Sequence, residues 1–187
     1  MNFTKLIHTD IDHELLAKEI YQLIEHFKLE EHPQISLTSL AGENNWINST
    51  GKRHLLKYPE RYFNKINQYL EGTYISECIR RYPDFYRWRL MKVIPRATYS
   101  IHPDGIPFRE NIRLHIPVIT NSKAFLTFYD VMPGDDTTVT VYHANLKAGN
   151  SYEVNTTKLH TAVNYGDYDR YHMVGVKYIK ERIRGAK

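Results

Sequence analysis

Between residues 11 and 28 the apolar side chains fall at Leu15, Leu16, Ile20, Leu23, Ile24 and Phe27. That spacing of three and four lines one face of an α-helix. Asp10 and Asp12 stand just before it, where a carboxylate can accept from the free amides of a first turn. Residues 60–82 predict one or two further helices, broken near Gly72, and QISLTSL predicts a short strand in between. From Tyr86 onward the period falls to two. Eight segments read as strands: YRWRLMKVI, RATYSI, IRLHIPVI, AFLTFYD, TVTVYH, SYEVN, HTAVNY and RYHMVGVKYI. They are separated by turn signals at PDG, TNS, PGDD, KAGN and YGDYD.

Eight short strands after a helical segment fit a mainly β fold, a double-stranded β-helix (jelly roll, cupin-like) buttressed by helices. Such a barrel hides its sheet edges and turns alternate side chains toward an interior. With 187 residues, 42% hydrophobic and 25% charged, the chain is expected to form a single domain, with 1–85 as helical buttress plus a short strand and 86–187 as jelly-roll core. The lone Cys78, in TYISECIRRY, rules out an internal disulfide and is read as a small buried hydrophobe. The polar start MNFTKLIHTD and the absence of an apolar run near twenty residues lead to an expected cytoplasmic location and no membrane partner.

A net charge of +4, fifteen tyrosines and the stretch CIRRYPDFYRWRLMK raise the reading of a basic nucleic-acid-binding module, since interleaved cations and aromatics grip phosphates and stack bases. The alternation of Tyr86, Trp88 and Leu90 with Arg87 and Arg89 also suits a half-buried strand with its arginines on a wet face, so a nucleic-acid partner is not expected.

Candidate chemistry begins with a triplet that occurs twice. His8, Thr9 and Asp10 precede the first helix and are explained by capping and solvent. His102, Pro103 and Asp104 are followed at a distance by His160 and, ten residues later, by Arg170. Residues i and i+2 of a strand leave the same face about 6.6 Å apart, so His102 and Asp104 can converge on one ion with His160 closing the triangle. Two imidazoles and a carboxylate that leave coordination positions open suit a redox-active non-haem iron better than a closed structural zinc site. Arg170 offers paired donors for an anionic co-substrate beside that metal. Arg113, His115 and Pro117 alternate with Leu114, Ile116 and Val118, which places the polar pair inside the barrel if the apolar face packs outward. His172 shares a strand face with Arg170. Trp46, in the loop AGENNWINSTGKR, is either a substrate-covering aromatic or a loop anchor, and His143 is read as an ordinary strand residue. Asp130, Asp135, Asp136, Arg109 and Lys158 lie in or near loops that could meet substrate.

YSIHPD, IRLHIPVITN and LHTAVNYGDYDRYHMV, in that order, resemble the aspartyl/asparaginyl β-hydroxylase-like branch of the Fe(II)/2-oxoglutarate oxygenases, which includes bacterial free-proline hydroxylases. The similarity covers roughly residues 86–180. It implies His102, Asp104 and His160 as iron ligands, Arg170 as partner of the distal carboxylate of 2-oxoglutarate, and Arg113 and His115 at the active site. Some protein-modifying members lack the carboxylate ligand, whereas Asp104 gives this chain the full set found in amino-acid hydroxylases. The expected cofactors are Fe(II), 2-oxoglutarate and O2, with Arg170, His115 and Arg113 as cofactor-binding residues and Arg113, Trp46 and His172 as substrate residues. The implied reaction couples oxidative decarboxylation of 2-oxoglutarate to hydroxylation of an amino acid or of an Asp-, Asn- or Pro-like side chain in a peptide or protein. No catalytic side chain beyond the metal ligands is needed. A non-redox metal-binding jelly roll is the alternative, and Arg170 discriminates, because only an enzyme with an anionic co-substrate requires a fixed cation there.

Overall fold

A computed structural model describes residues 3–104, 109–131 and 139–181. Asp135 and Asp136 and the turn PGDD lie outside the described residues. The chain starts with β1 (Thr4–His8) and α1 (His13–Phe27). Asp12 caps α1 by accepting from the Leu15 N–H at 3.0 Å, and Lys28 ends it in a left-handed conformation with φ of 55°. Then come β2 (Gln34–Ser36), β3 (Thr38–Ser39), β4 (Lys65–Ile66) and α2 (Tyr74–Arg80). The helices expected over 60–82 are reduced to α2 and two single 3-10 turns at Glu60–Tyr62 and Gln68–Leu70. Long-range pairing overrides the helical pattern there: β4 pairs with β3, and Asn67 donates through Nδ2 to the Ser36 carbonyl at 2.9 Å.

From Tyr86 the eight expected strands are found as β5 (Tyr86–Val93), β6 (Ala97–Thr98), β7 (Arg109–Ile119), β8 (Ala124–Val131), β9 (Val139–Ala144), β10 (Ser151–Val154), β11 (Leu159–Asn164) and β12 (Arg170–Glu181). They form two antiparallel sheets, β1-β10-β7-β12-β5-β2 and β6-β11-β8-β9. The fold is a mainly β jelly roll with two helices among the described residues. β1 and β2, from the first 85 residues, lie at the two edges of the larger sheet. Among the described residues no helix is long and apolar enough to cross a membrane.

The register of the larger sheet separates its two surfaces. Met173 stands opposite Ile116 and Leu90, and the next row sets Val174 opposite His115 and Arg89. The first row joins Leu16, Ile20, Leu23 and Ile24 of α1 and Ile75, Cys78 and Ile79 of α2 in the main apolar core. Trp88 lies so close over Gly175 of β12 that a Cβ there would sit 2.8 Å from the indole, which explains a glycine inside a strand. Cys78 is buried in this core and burial pushes its thiol up to about 11, as expected of a small hydrophobe. A smaller cluster of Leu126, Phe128, Ala144, Leu146 and Val154 fills one end of the space between the sheets.

The arginines of β5 correct the sequence reading. Arg87 is 1% exposed and Arg89 3% exposed, so neither faces water. β5 lies inside the sheet between β12 and β2; the alternation marks its two faces, but neither is wet. Arg87 takes a positive φ of 50°, held by donation to the carbonyls of Ser49 and Gly51 at 2.8 Å each and by an ion pair with buried Glu60.

Candidate metal centre

His102 and His160 are joined by an isolated antiparallel bridge, each N–H donating to the other's carbonyl at 3.0 Å. His102 and Asp104 therefore converge without belonging to a regular strand, unlike the geometry expected from their spacing. Pro103 has no N–H for a ladder, and the chain bends at Asp104, whose N–H donates to the Thr156 carbonyl at 2.8 Å. Asn111 of β7 holds the Asp104 carbonyl through Nδ2 at 3.2 Å.

The ring orientations are set by backbone carbonyls. Nδ1 of His102 lies 2.7 Å from the Ser100 carbonyl and Nδ1 of His160 lies 2.9 Å from that of Lys158. A carbonyl only accepts, so each Nδ1 carries a hydrogen and each ring turns its Nε2 toward Asp104. The two Nε2 atoms lie 3.7 and 3.6 Å from opposite oxygens of Asp104, and the three ligand atoms fall within 4.8 Å of one another. Burial lowers the His160 pKa despite the nearby Asp104 charge. Burial would raise that of Asp104, but the Arg113 guanidinium beside it holds it well below the usual carboxylate range. Two imidazoles oriented through Nδ1 by backbone carbonyls, with both Nε2 atoms beside an ionised carboxylate, fit a divalent metal. His102 is the most exposed of the three, which leaves an approach from solvent.

Around this set the larger sheet contributes a cationic interior. Arg113 of β7 forms an ion pair with Asp104 Oδ2 that lacks hydrogen-bond alignment at Nε. Burial would lower its pKa, but Asp104 and Glu60 raise it instead. His115 is buried beside His172, their Nδ1 atoms 3.4 Å apart. Arg170 is buried, donates from Nη2 to His172 Nδ1 at 3.1 Å, and keeps Nε without a partner. Burial lowers its pKa to about 10, so it remains charged at neutral pH. No carboxylate of the described residues pairs with it. Arg89 donates to Gln34 Oε1 at 3.0 Å, and its buried Nε also lacks a partner. Sequence reasoning missed Arg89 as a site residue; the signal was its parity with Met91 and Val93, opposite to that of Trp88 and Leu90.

Other candidates fall elsewhere. Trp46 belongs to the main core, with its ring 4.7 Å from Phe27 of α1. This is a correction to its place among the substrate residues: the indole is committed to anchoring its loop on the helix. His143 is exposed on β9 and bonded to Thr127 at 2.9 Å, an ordinary strand position. Lys158 and Asp130 pair with each other at 3.3 Å. The Arg109 side chain lies outside the described residues. In the first triplet His8 and Asp10 are exposed and Asp10 pairs with Arg81 at 3.2 Å.

No protein-family model and no curated protein sequence matches the chain. Solved structures do match. An oxidoreductase of the 2OG-Fe(II) oxygenase family from Burkholderia pseudomallei is 14% identical, with 98% of this chain and 86% of that one covered and a TM-score of 0.54. HygX from Streptomyces hygroscopicus, with nickel and 2-oxoglutarate bound, is 6% identical over 94% and 82%, with a TM-score of 0.56. The α-ketoglutarate-dependent epimerase SnoN from nogalamycin biosynthesis is 12% identical over 96% and 78%, with a TM-score of 0.53. At these identities the likeness is one of fold.

Proposed function

We propose that this protein is an Fe(II)- and 2-oxoglutarate-dependent oxygenase that hydroxylates an amino acid or an amino-acid side chain of a peptide or protein. One observation carries the reading: His102, Asp104 and His160 converge with both Nε2 atoms turned toward the carboxylate, while Arg170 is buried on the inner face of the opposing sheet with no acid beside it among the described residues. A buried charge without a counter-charge costs several kcal/mol, and a bound dicarboxylate relieves that cost. A non-redox metal site has no use for such a cation.

His102, Asp104 and His160 would hold the iron, which supplies oxygen activation at the expense of 2-oxoglutarate. Arg170 binds the distal carboxylate of the co-substrate. Arg113 keeps Asp104 ionised and therefore able to act as a ligand. Phe128, with its ring 6.1 Å from that of His160 and stacked on Phe3 at 4.9 Å, excludes water from one side. Arg89 has no acidic partner among the described residues and supports a substrate that carries a carboxylate, as an amino acid does. The same site can also begin an epimerisation, the reaction named for SnoN, and the product distinguishes the two: a hydroxylated product contains an added oxygen atom.

Anaerobic addition of Fe(II) and 2-oxoglutarate tests the class before any substrate is known. Wild-type protein should develop a weak visible band that requires both components, and His160→Ala should abolish it. A wild-type protein that binds Fe(II) but shows no band with 2-oxoglutarate would leave the metal-binding alternative standing.

A further inference from the structure

The buried group Arg170, His172 and His115 has a fixed hydrogen-bond polarity. His172 Nδ1 is approached twice, by Arg170 Nη2 at 3.1 Å and by His115 Nδ1 at 3.4 Å. A guanidinium can only donate, so His172 Nδ1 is a lone pair and its hydrogen sits on Nε2. His115 Nδ1 must then carry the other hydrogen, which leaves the lone pair of His115 on Nε2. Burial, then the Arg170 charge, hold both rings well below the ordinary imidazole range, so a protonated ring does not enter the choice. Both Nε2 atoms are buried and neither has a hydrogen-bond partner among the described residues. An unmet buried donor and an unmet buried acceptor each cost about 1–3 kcal/mol, and together they call for ligand groups of opposite kind.

We propose that His172 Nε2–H is a second donor, with Arg170 Nε–H, to the distal carboxylate of the co-substrate, and that His115 is the positioning residue that fixes His172 in the donating tautomer. The proposal rests on the oxygenase reading above and goes beyond it by assigning His172 to the co-substrate. It also moves His115 away from direct carboxylate contact. The lone pair on His115 Nε2 repels a carboxylate and suits a hydroxyl, an ammonium or a water.

Two measurements test it. In the 15N-labelled, metal-free full chain, long-range histidine NMR correlations should show His172 with Nδ1 unprotonated and His115 with Nδ1 protonated; the reverse assignment for His172 overturns the proposal. In Zn(II)-loaded protein, calorimetry with 2-oxoglutarate should show about tenfold to a hundredfold weaker binding for His172→Phe. His172→Gln, whose amide nitrogen reaches the Nε2 position, should recover most of that loss. His115→Phe should weaken binding severalfold by freeing the tautomer, and His115→Asn, which keeps a donor at the Nδ1 position, should restore it. A folded His172→Phe that binds as tightly as wild type overturns this proposal and leaves the oxygenase reading intact. Failure of the wild type itself to bind 2-oxoglutarate overturns both.

Discussion

On the face of the larger sheet that meets the helices stand Trp88, Leu90, Leu114, Ile116 and Met173, all buried and all apolar. On the face that meets the smaller sheet the same strands present Arg89, His115, Arg170 and His172, equally buried and all polar, with the largely buried Arg113 beside them. Burial is alike on the two faces, so the difference is one of purpose. Removing the outer row from water stabilises the fold, at about 1.5–3 kcal/mol for each large side chain. The inner row opposes folding: three buried guanidinium groups share few acids, and Arg89, His115, Arg170 and His172 each retain a polar atom without a partner. Under the proposed function a bound co-substrate and substrate complete this surface.

The comparison is most easily broken on the outer face. Trp88→Ala removes the ring that fills the space over Gly175 and should cost about 3–5 kcal/mol in urea unfolding. A loss below about 1 kcal/mol would mean that the helices do not depend on this row.

Acid sharpens it next. His115 and His172 are held neutral in the fold by burial and by Arg170, whereas in the unfolded chain an imidazole takes up a proton below about pH 6.5. The unfolded state then binds more protons, so stability is complete above about pH 6.5 and falls as the pH drops below it, by up to about 1.4 kcal/mol per pH unit for each ring. The double variant His115→Asn, His172→Gln should flatten unfolding free energy between about pH 6.5 and 5. An unchanged slope would assign the acid sensitivity to other groups.

Much of this was legible in the chain. Alternation located the eight strands from Tyr86 onward, and order and spacing picked out the residues that converge around Asp104. What alternation does not encode is the neighbour on each side. Arg87 and Arg89 were set on a wet face because a strand of period two has one face polar, and only the groups that cover them, Glu60 with the Ser49 and Gly51 carbonyls on Arg87 and Gln34 on Arg89, show that no water is left there. TKLIH is too short and irregular to announce β1, which exists because β10 offers it an edge. Trp46 had two readings that differ only in tertiary contact, and Phe27 decides between them. The polarity of the Arg170, His172 and His115 group depends on which nitrogen meets which, so the sequence indicated no more than that Arg170 and His172 share a face.

Arg89 distinguishes stability from function on the inner face. Among the described residues its buried guanidinium has a hydrogen bond to Gln34 and no acid, and burial pushes its pKa well down. Arg89→Met should therefore raise unfolding free energy by about 1–3 kcal/mol and leave Fe(II) stoichiometry unchanged. A loss of more than about 1 kcal/mol would show that the guanidinium is already satisfied, and would remove it from the residues that await a substrate acid.

The smallest effect is expected where the same triplet occurs without either face. His8 and Asp10 repeat the residue types of His102 and Asp104, but they sit in water at the end of an edge strand. There the helix cap is Asp12 rather than Asp10, and Asp10 pairs with Arg81 at 3.2 Å and with His8 at 4.0 Å, both exposed. Exposed pairs of this kind contribute about 0.2–1 kcal/mol. Changing both His8 and Asp10 to alanine should thus cost less than about 1 kcal/mol and leave metal stoichiometry and the visible band with 2-oxoglutarate as in the wild type. A lost metal equivalent would mean that the triplet binds on its own, and that the bridge between His102 and His160 is not what makes the second copy a site.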